Sequence, residues 1–117
     1  MSGTIIKLHP SDIQQIRKVQ AMLQQPAWSH TTILELAHEA GMNRTKLQYG
    51  FRQLFGTSIY AYQVQLRLER AKKLLEESDK PVKQIALLAG YNTINSFSAA
   101  FKKAYLLSPA QWRAQHG

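Results

Sequence analysis

Apolar residues recur along this chain at spacings of three and four, not in strict alternation, so the pattern predicts helices and an all-α protein. Ile13, Ile16, Val19 and Leu23 form the stripe of a first helix, opening at Ser11 with Ser11 and Gln14 as a capping box and ending before Pro26. Thr32 and Glu35 form a sharper start signal ahead of Leu36, Ala37 and Ala40, and Gly41 then stops a helix of about two turns. A third helix is predicted from Arg44 to Phe55, with Leu47, Phe51 and Leu54 inward and Gly56 after its last turn. Ser58 caps a long helix running to Glu77, with Ile59, Tyr62, Leu66, Ala71, Leu74 and Leu75 inward. Ser78, Asp79, Lys80 and Pro81 break it. From Val82 a short helix carries Ile85, Ala86 and Ala89; Gly90 turns the chain, and the next helix carries Phe97, Phe101 and Tyr105. A final turn begins at Ser108-Pro109, where proline suits the first helical position, and holds Trp112.

The two halves of this pattern repeat. Ala37 pairs with Ala86, Gly41 with Gly90, Asn43 with Asn92, Leu47 with Phe97, Phe51 with Phe101, Phe55 with Tyr105 and Ser58 with Ser108. The offset is 49 up to the asparagines and 50 afterwards, so the second copy holds one extra residue in its turn or helix start. Two helices crossing through a short turn need a small residue where they touch, a turn glycine and an apolar anchor on the second helix. Ala37, Gly41 and Leu47 supply these once, and Ala86, Gly90 and Phe97 supply them again. The expected architecture is therefore two helix-turn-helix subdomains, residues 11–57 and 78–117, joined by a linking helix over 58–77, about seven helices in all. Residues 1–10 read as a tail or the remnant of an interdomain linker.

Charge then narrows the function. Fifteen Lys and Arg against seven Asp and Glu give a net charge of +8, which favours a polyanionic partner. No acid falls between Gly41 and Leu68 or after Asp79, the stretches that hold both predicted second helices of the repeat. Cysteine is absent, which fits a reducing cytoplasm, and no apolar run approaches the roughly 18 to 20 residues of a membrane span.

With Leu47 and Phe51 inward, about 100° per residue places Thr45, Gln48, Tyr49 and Arg52 on the opposite face, flanked by Lys46. With Phe97 and Phe101 inward, the later helix shows Asn95, Ser98, Ala99 and Lys102, flanked by Ser96. Asn and Gln can bond adenine bidentately, Ser and Thr adapt to several base edges, and Ala or a Thr methyl can meet a thymine methyl. Thr45, Gln48, Tyr49, Asn95, Ser96, Ser98 and Ala99 are accordingly the expected base-reading residues. Arg44, Lys46, Arg52, Lys102 and Lys103 are the expected phosphate contacts, the last three because they lie past the middle of their helices. About 17 residues of linking helix span roughly 26 Å, which with lobe thickness added makes a separation of one DNA turn, about 34 Å, feasible for two reading helices.

These residues resemble the DNA-binding domain of the AraC/XylS family of bacterial transcription regulators. The resemblance covers roughly Thr31 to Arg113 and is strongest in Ile85-Ala86-Leu87-Leu88-Ala89-Gly90-Tyr91, Phe97-Ser98, Phe101-Lys102-Lys103 and Ser108-Pro109-Ala110-Gln111-Trp112-Arg113. It implies a seven-helix, two-lobed domain that binds promoters in the bacterial cytoplasm, associated with the nucleoid, usually as an activator touching RNA polymerase. Matched position by position, its base-reading residues fall on the same two faces. It also implies an effector-binding or dimerisation domain, which this chain does not contain, so a fragment is favoured over a stand-alone member. The sequence departs from the family at Ala99, where many members carry arginine, and at Leu106, where many carry glycine.

An enzyme lacks its parts. His30 and His38 have no third ligand, no Ser-His-Asp arrangement or Gly-rich phosphate loop occurs, and neither a metal nor another cofactor is implied. The remaining alternative is a helical protein-interaction domain with a basic surface, with Tyr49, Tyr60 and Tyr91 on a contact face.

Overall fold

Capping residues set the helix boundaries. The protein, a computed structural model, is described over residues 7–117, so most of the expected tail lies outside the described residues. Among these it forms α1 (Pro10–Leu23), a single 3-10 turn (Pro26–Trp28), α2 (Ile33–Ala40), α3 (Arg44–Phe55), α4 (Ile59–Glu77), α5 (Val82–Leu88), α6 (Ile94–Tyr105) and α7 (Pro109–His116), with no strand. Thr32 caps α2 as expected: its hydroxyl accepts from the Glu35 N–H at 3.2 Å, and the Glu35 carboxylate accepts from the Thr32 N–H at 3.2 Å. Ser58 accepts from the Ala61 N–H at 3.1 Å and opens α4. Ser108 and Gln111 form a further capping box, so the expected last turn is a helix of 8 residues.

The start of α1 corrects the sequence expectation. The cap is His9 and not Ser11: the His9 ring accepts from the Ser11 N–H at 3.2 Å, and the Asp12 carboxylate accepts from the His9 N–H at 3.0 Å. Pro10, which has no N–H to satisfy, takes the first helical position and moves the cap back to a residue type that sequence rules do not favour.

The chain forms two compact units that share α4, the first ending at Val64 and the second beginning at Gln65. In the first unit Ile16, Val19 and Leu23 of α1 are buried with Leu36, Ala37 and Ala40 of α2, Leu47 and Phe51 of α3 and Ile59 of α4. In the second, Leu68, Ala71 and Leu75 of α4 are buried with Ile85 and Ala86 of α5, with Ala89 just after that helix, with Phe97 and Phe101 of α6, and with Pro109. Each unit is thus a scaffold helix, a helix-turn-helix pair, and the opening turns of one more helix.

The two turns close alike. The Met42 N–H donates to Ala37 O at 3.1 Å and the Tyr91 N–H to Ala86 O at 2.9 Å, with Gly41 at φ 64° and Gly90 at φ 91°. The extra residue is then located: Asn43 caps α3 two positions after Gly41, whereas Thr93 caps α6 three positions after Gly90. Asn92 is the insertion, and Thr93, not Asn92, does the work of Asn43.

Candidate nucleic-acid interface

Each unit holds its second helix by burying one side of it. Leu47, Gly50 and Phe51 are the buried residues of α3, and Phe97 and Phe101 those of α6. In the first unit α1 crosses α3 closely at Gly50, where an added Cβ would lie 2.5 Å from Ile16 Cδ1 and 3.3 Å from Leu8 Cδ2. The Phe51 ring also stacks in tilted contact with Phe55 and Tyr62, at 4.8 and 5.7 Å between centroids. The second unit relies on a larger aromatic cluster: Phe101 meets Phe97, Tyr105 and Trp112 at 5.7, 4.8 and 6.0 Å. Lys72 lies over both Tyr105 and Trp112, at 5.0 and 5.6 Å from their centroids.

With those sides buried, the opposite faces are open. Arg44, Thr45, Gln48, Tyr49 and Arg52 are exposed on α3, Tyr49 by 54%. Asn95, Ser96, Ala99, Lys102 and Lys103 are exposed on α6, and Ser98 is half-buried. Neither helix carries an acidic residue. Two of the sequence-predicted residues are already engaged. The Ser96 hydroxyl accepts from the Thr93 hydroxyl at 2.9 Å, which draws it toward the cap. Lys46 Nζ lies 2.9 Å from Asp12 Oδ2.

A second layer anchors the approach to each helix pair. The Gln63 side-chain amide, only 8% exposed, donates to Thr31 O at 2.8 Å, immediately before the Thr32 cap. Arg113 holds the equivalent stretch of the second unit, donating to Lys80 O at 2.7 Å, Ser78 O at 3.0 Å and Leu75 O at 3.2 Å. Gln63 and Arg113 stand at the offset of the second half of the repeat, and Thr31 and Lys80 at that of the first. Duplicated turns, matched caps and matched anchors around two open basic faces are the parts of a tandem helix-turn-helix module.

Comparison with known proteins agrees. The family model for a helix-turn-helix domain matches residues 36–115. This chain belongs to the AraC-type helix-turn-helix DNA-binding domains. It is similar to the HTH-type transcriptional activator RhaR of Yersinia pseudotuberculosis, with 31% identity over 87% of this chain and 35% of that protein. Among solved structures it is similar to an AraC-type transcriptional regulator from Chromobacterium violaceum (TM-score 0.81, 25% identity, 93% of this chain and 97% of the other). The DNA-binding domain of AdpA, solved with a target DNA, matches with TM-score 0.76 and 27% identity over 86% of this chain and 91% of the other. The chain spans about a third of the length of the curated relatives it matches.

Within this AraC-type domain, the sequence reading missed the anchors Gln63 and Arg113. Their signal is a polar residue at a repeat-equivalent position on a helix otherwise read for its apolar stripe. Lys83 lines an open groove of about 370 Å³ with Asn92, Thr93, Ile94 and Asn95. Among the described residues no helix is long and apolar enough to cross a membrane.

Proposed function

We propose that this AraC-type domain reads a promoter through α3 and α6 in two successive major grooves and regulates transcription as an activator working with RNA polymerase. Base edges are read by Thr45, Gln48 and Tyr49 in the first unit and by Asn95, Ser96, Ser98 and Ala99 in the second. Arg44, Lys46, Arg52, Lys102 and Lys103 bind phosphates. The observation that carries this is the pair of acid-free, solvent-facing second helices, each presented by a buried Leu47/Phe51 or Phe97/Phe101 side. Similarity to an activator supports the direction of regulation. In this reading an effector-binding or dimerisation domain accompanies the module in the whole protein, which acts on the nucleoid in the cytoplasm.

Titration with duplex DNA at two salt concentrations tests it. A phosphate-binding module loses affinity steeply as salt rises, and a flat response would leave the interaction-domain alternative standing. Gln48→Ala is expected to relax base preference at one position of a selected site, by about 1–3 kcal/mol of discrimination. Lys102→Ala should weaken all sequences alike and lower the salt slope by about 1. A change in sequence preference from Lys102→Ala would overturn its assignment to phosphate.

A further inference from the structure

Lys46 is the third residue of α3, in the N-terminal part of the helix that a helix-turn-helix presents to the duplex. Its ammonium nitrogen lies 2.9 Å from Asp12 Oδ2, with the aspartate side chain 16% exposed. That same oxygen accepts from the His9 N–H at 3.0 Å, so the carboxylate is fixed in the first turn of α1. One turn further along both helices, Ile16 packs at Gly50, which sets the close spacing of α1 and α3. Asp12 and Ile16 are four apart on one helix, as are Lys46 and Gly50 on the other, so the ion pair continues a single line of contact.

The carboxylate therefore cannot follow Lys46 toward a ligand. If the lysine turns to a phosphate, it leaves an unpaired anion behind at a partly shielded site, close to the approaching backbone. At the repeat-equivalent position of the second unit stands Ser96, which carries no charge and whose hydroxyl accepts from Thr93.

We propose that Asp12 is an affinity-limiting residue of the DNA interface: an internal anion that occupies the phosphate-binding group of Lys46 and must surrender it when DNA binds. The proposal rests on the DNA-binding reading above, with Lys46 as a phosphate contact. DNA binding then exchanges an existing ion pair for a new one, and the freed carboxylate recruits a cation, so the salt dependence of this contact is largely cancelled. The result is a lower affinity for every sequence in the first unit, leaving a larger share of binding to the base-reading residues.

The test measures binding of a generic duplex between about 50 and 200 mM salt for the unmodified chain, Asp12→Asn, Lys46→Gln, the double variant, and Glu39→Gln as a control for net charge. Asparagine keeps an oxygen for the His9 N–H, so the α1 cap survives; if helicity nevertheless falls, Asp12→Ser keeps an acceptor and runs the same comparison. Asp12→Asn is expected to bind about two- to five-fold tighter at low salt, with a salt slope steeper by about one, and to exceed the Glu39→Gln control. In the Lys46→Gln background the Asp12 substitution should add nothing beyond that control. A gain no larger than the control's, or one that persists without Lys46, would overturn the proposal. If Lys46→Gln weakens neither the unmodified chain nor Asp12→Asn, the phosphate role of Lys46 fails and the proposal with it. The steep salt dependence and the Lys102→Ala slope would still stand or fall independently, which separates this failure from that of the DNA reading.

Discussion

Both units pack rings against the second helix of the pair, but the second unit adds a ring at Phe97, where the first has Leu47, and anchors the pair with a guanidinium instead of an amide. Phe51 of α3 meets Phe55 and Tyr62 beside the Gly50 position that admits Ile16, whereas Phe101 of the counterpart helix α6 meets Tyr105, Trp112 and also Phe97. Gln63 holds one backbone carbonyl ahead of α2, whereas Arg113 holds three around the approach to α5. Gly56 ends α3 at φ 72°, and Leu106 ends α6 at the same φ of 72°. The shared features are those of the backbone: where the caps fall, which carbonyl the turn N–H reaches, and which residue turns left-handed. A helix-turn-helix is specified by that geometry, and quite different side chains can satisfy it.

The anchors give the largest expected difference between the units. Arg113→Met removes three charge-assisted hydrogen bonds and should cost about 2–3 kcal/mol, while Gln63→Met should cost about 1 kcal/mol. Urea unfolding of the two variants would measure both; equal losses would mean that the extra bonds of Arg113 add nothing to the second unit.

Next come the helix ends. Leu106 is 81% exposed and sits in a conformation that disfavours any side chain with a Cβ, so Leu106→Gly loses little burial and should stabilise the protein by about 1 kcal/mol. Nothing lies within 4 Å of a Cβ built on Gly56, so Gly56→Leu should cost a similar amount through the backbone alone. Thermal melts should move by about 4 °C in opposite directions. A destabilised Leu106→Gly would show that the exposed leucine makes contacts that outweigh the strain.

The smallest effects are those of pH, and they too divide the units. The Lys46 ammonium, and then the His9 N–H, hold Asp12 below its ordinary 3.8, and the hydroxyl and N–H of Thr32 hold Glu35 below 4.5. Depressed carboxylates contribute stability above their unfolded values and lose it as pH falls through the folded ones, so the first unit weakens in acid. Burial, helped by Glu69 and Glu76, raises Tyr105 above 10.0. A raised tyrosine contributes stability below its unfolded value and loses it as pH rises past the folded one, so the second unit weakens in alkali. Trp28 lies in the first unit and Trp112 in the second, so the variants Trp112→Phe and Trp28→Phe report on them separately. Urea midpoints should shift first for Trp28 below about pH 4 and first for Trp112 above about pH 10; identical profiles would refute the division.

Much of this molecule was legible from its residues because the signals are local or periodic. The cap of Thr32 with Glu35 and the stops at Gly41 and Gly56 depend on residues within one turn of one another. The buried sides of α3 and α6, and hence their open faces, follow from helical period once Leu47, Phe51, Phe97 and Phe101 are taken as inward. The repeat added the turn chemistry, and with it the expected function. The structure changed what depended on approach between segments distant in the chain. Gln63 and Arg113 bond to carbonyls 32 and 33 residues away, whereas the one local miss, His9 in place of Ser11 as a cap, came from the adjacent Pro10. Lys46 looked free on a helical wheel and is held by Asp12. Periodicity determines which side of a helix is wet, because a helix turns by a constant angle per residue. Which charges on that wet side are already spoken for is decided only when another helix is laid beside it, since no pattern within α3 encodes the position of α1.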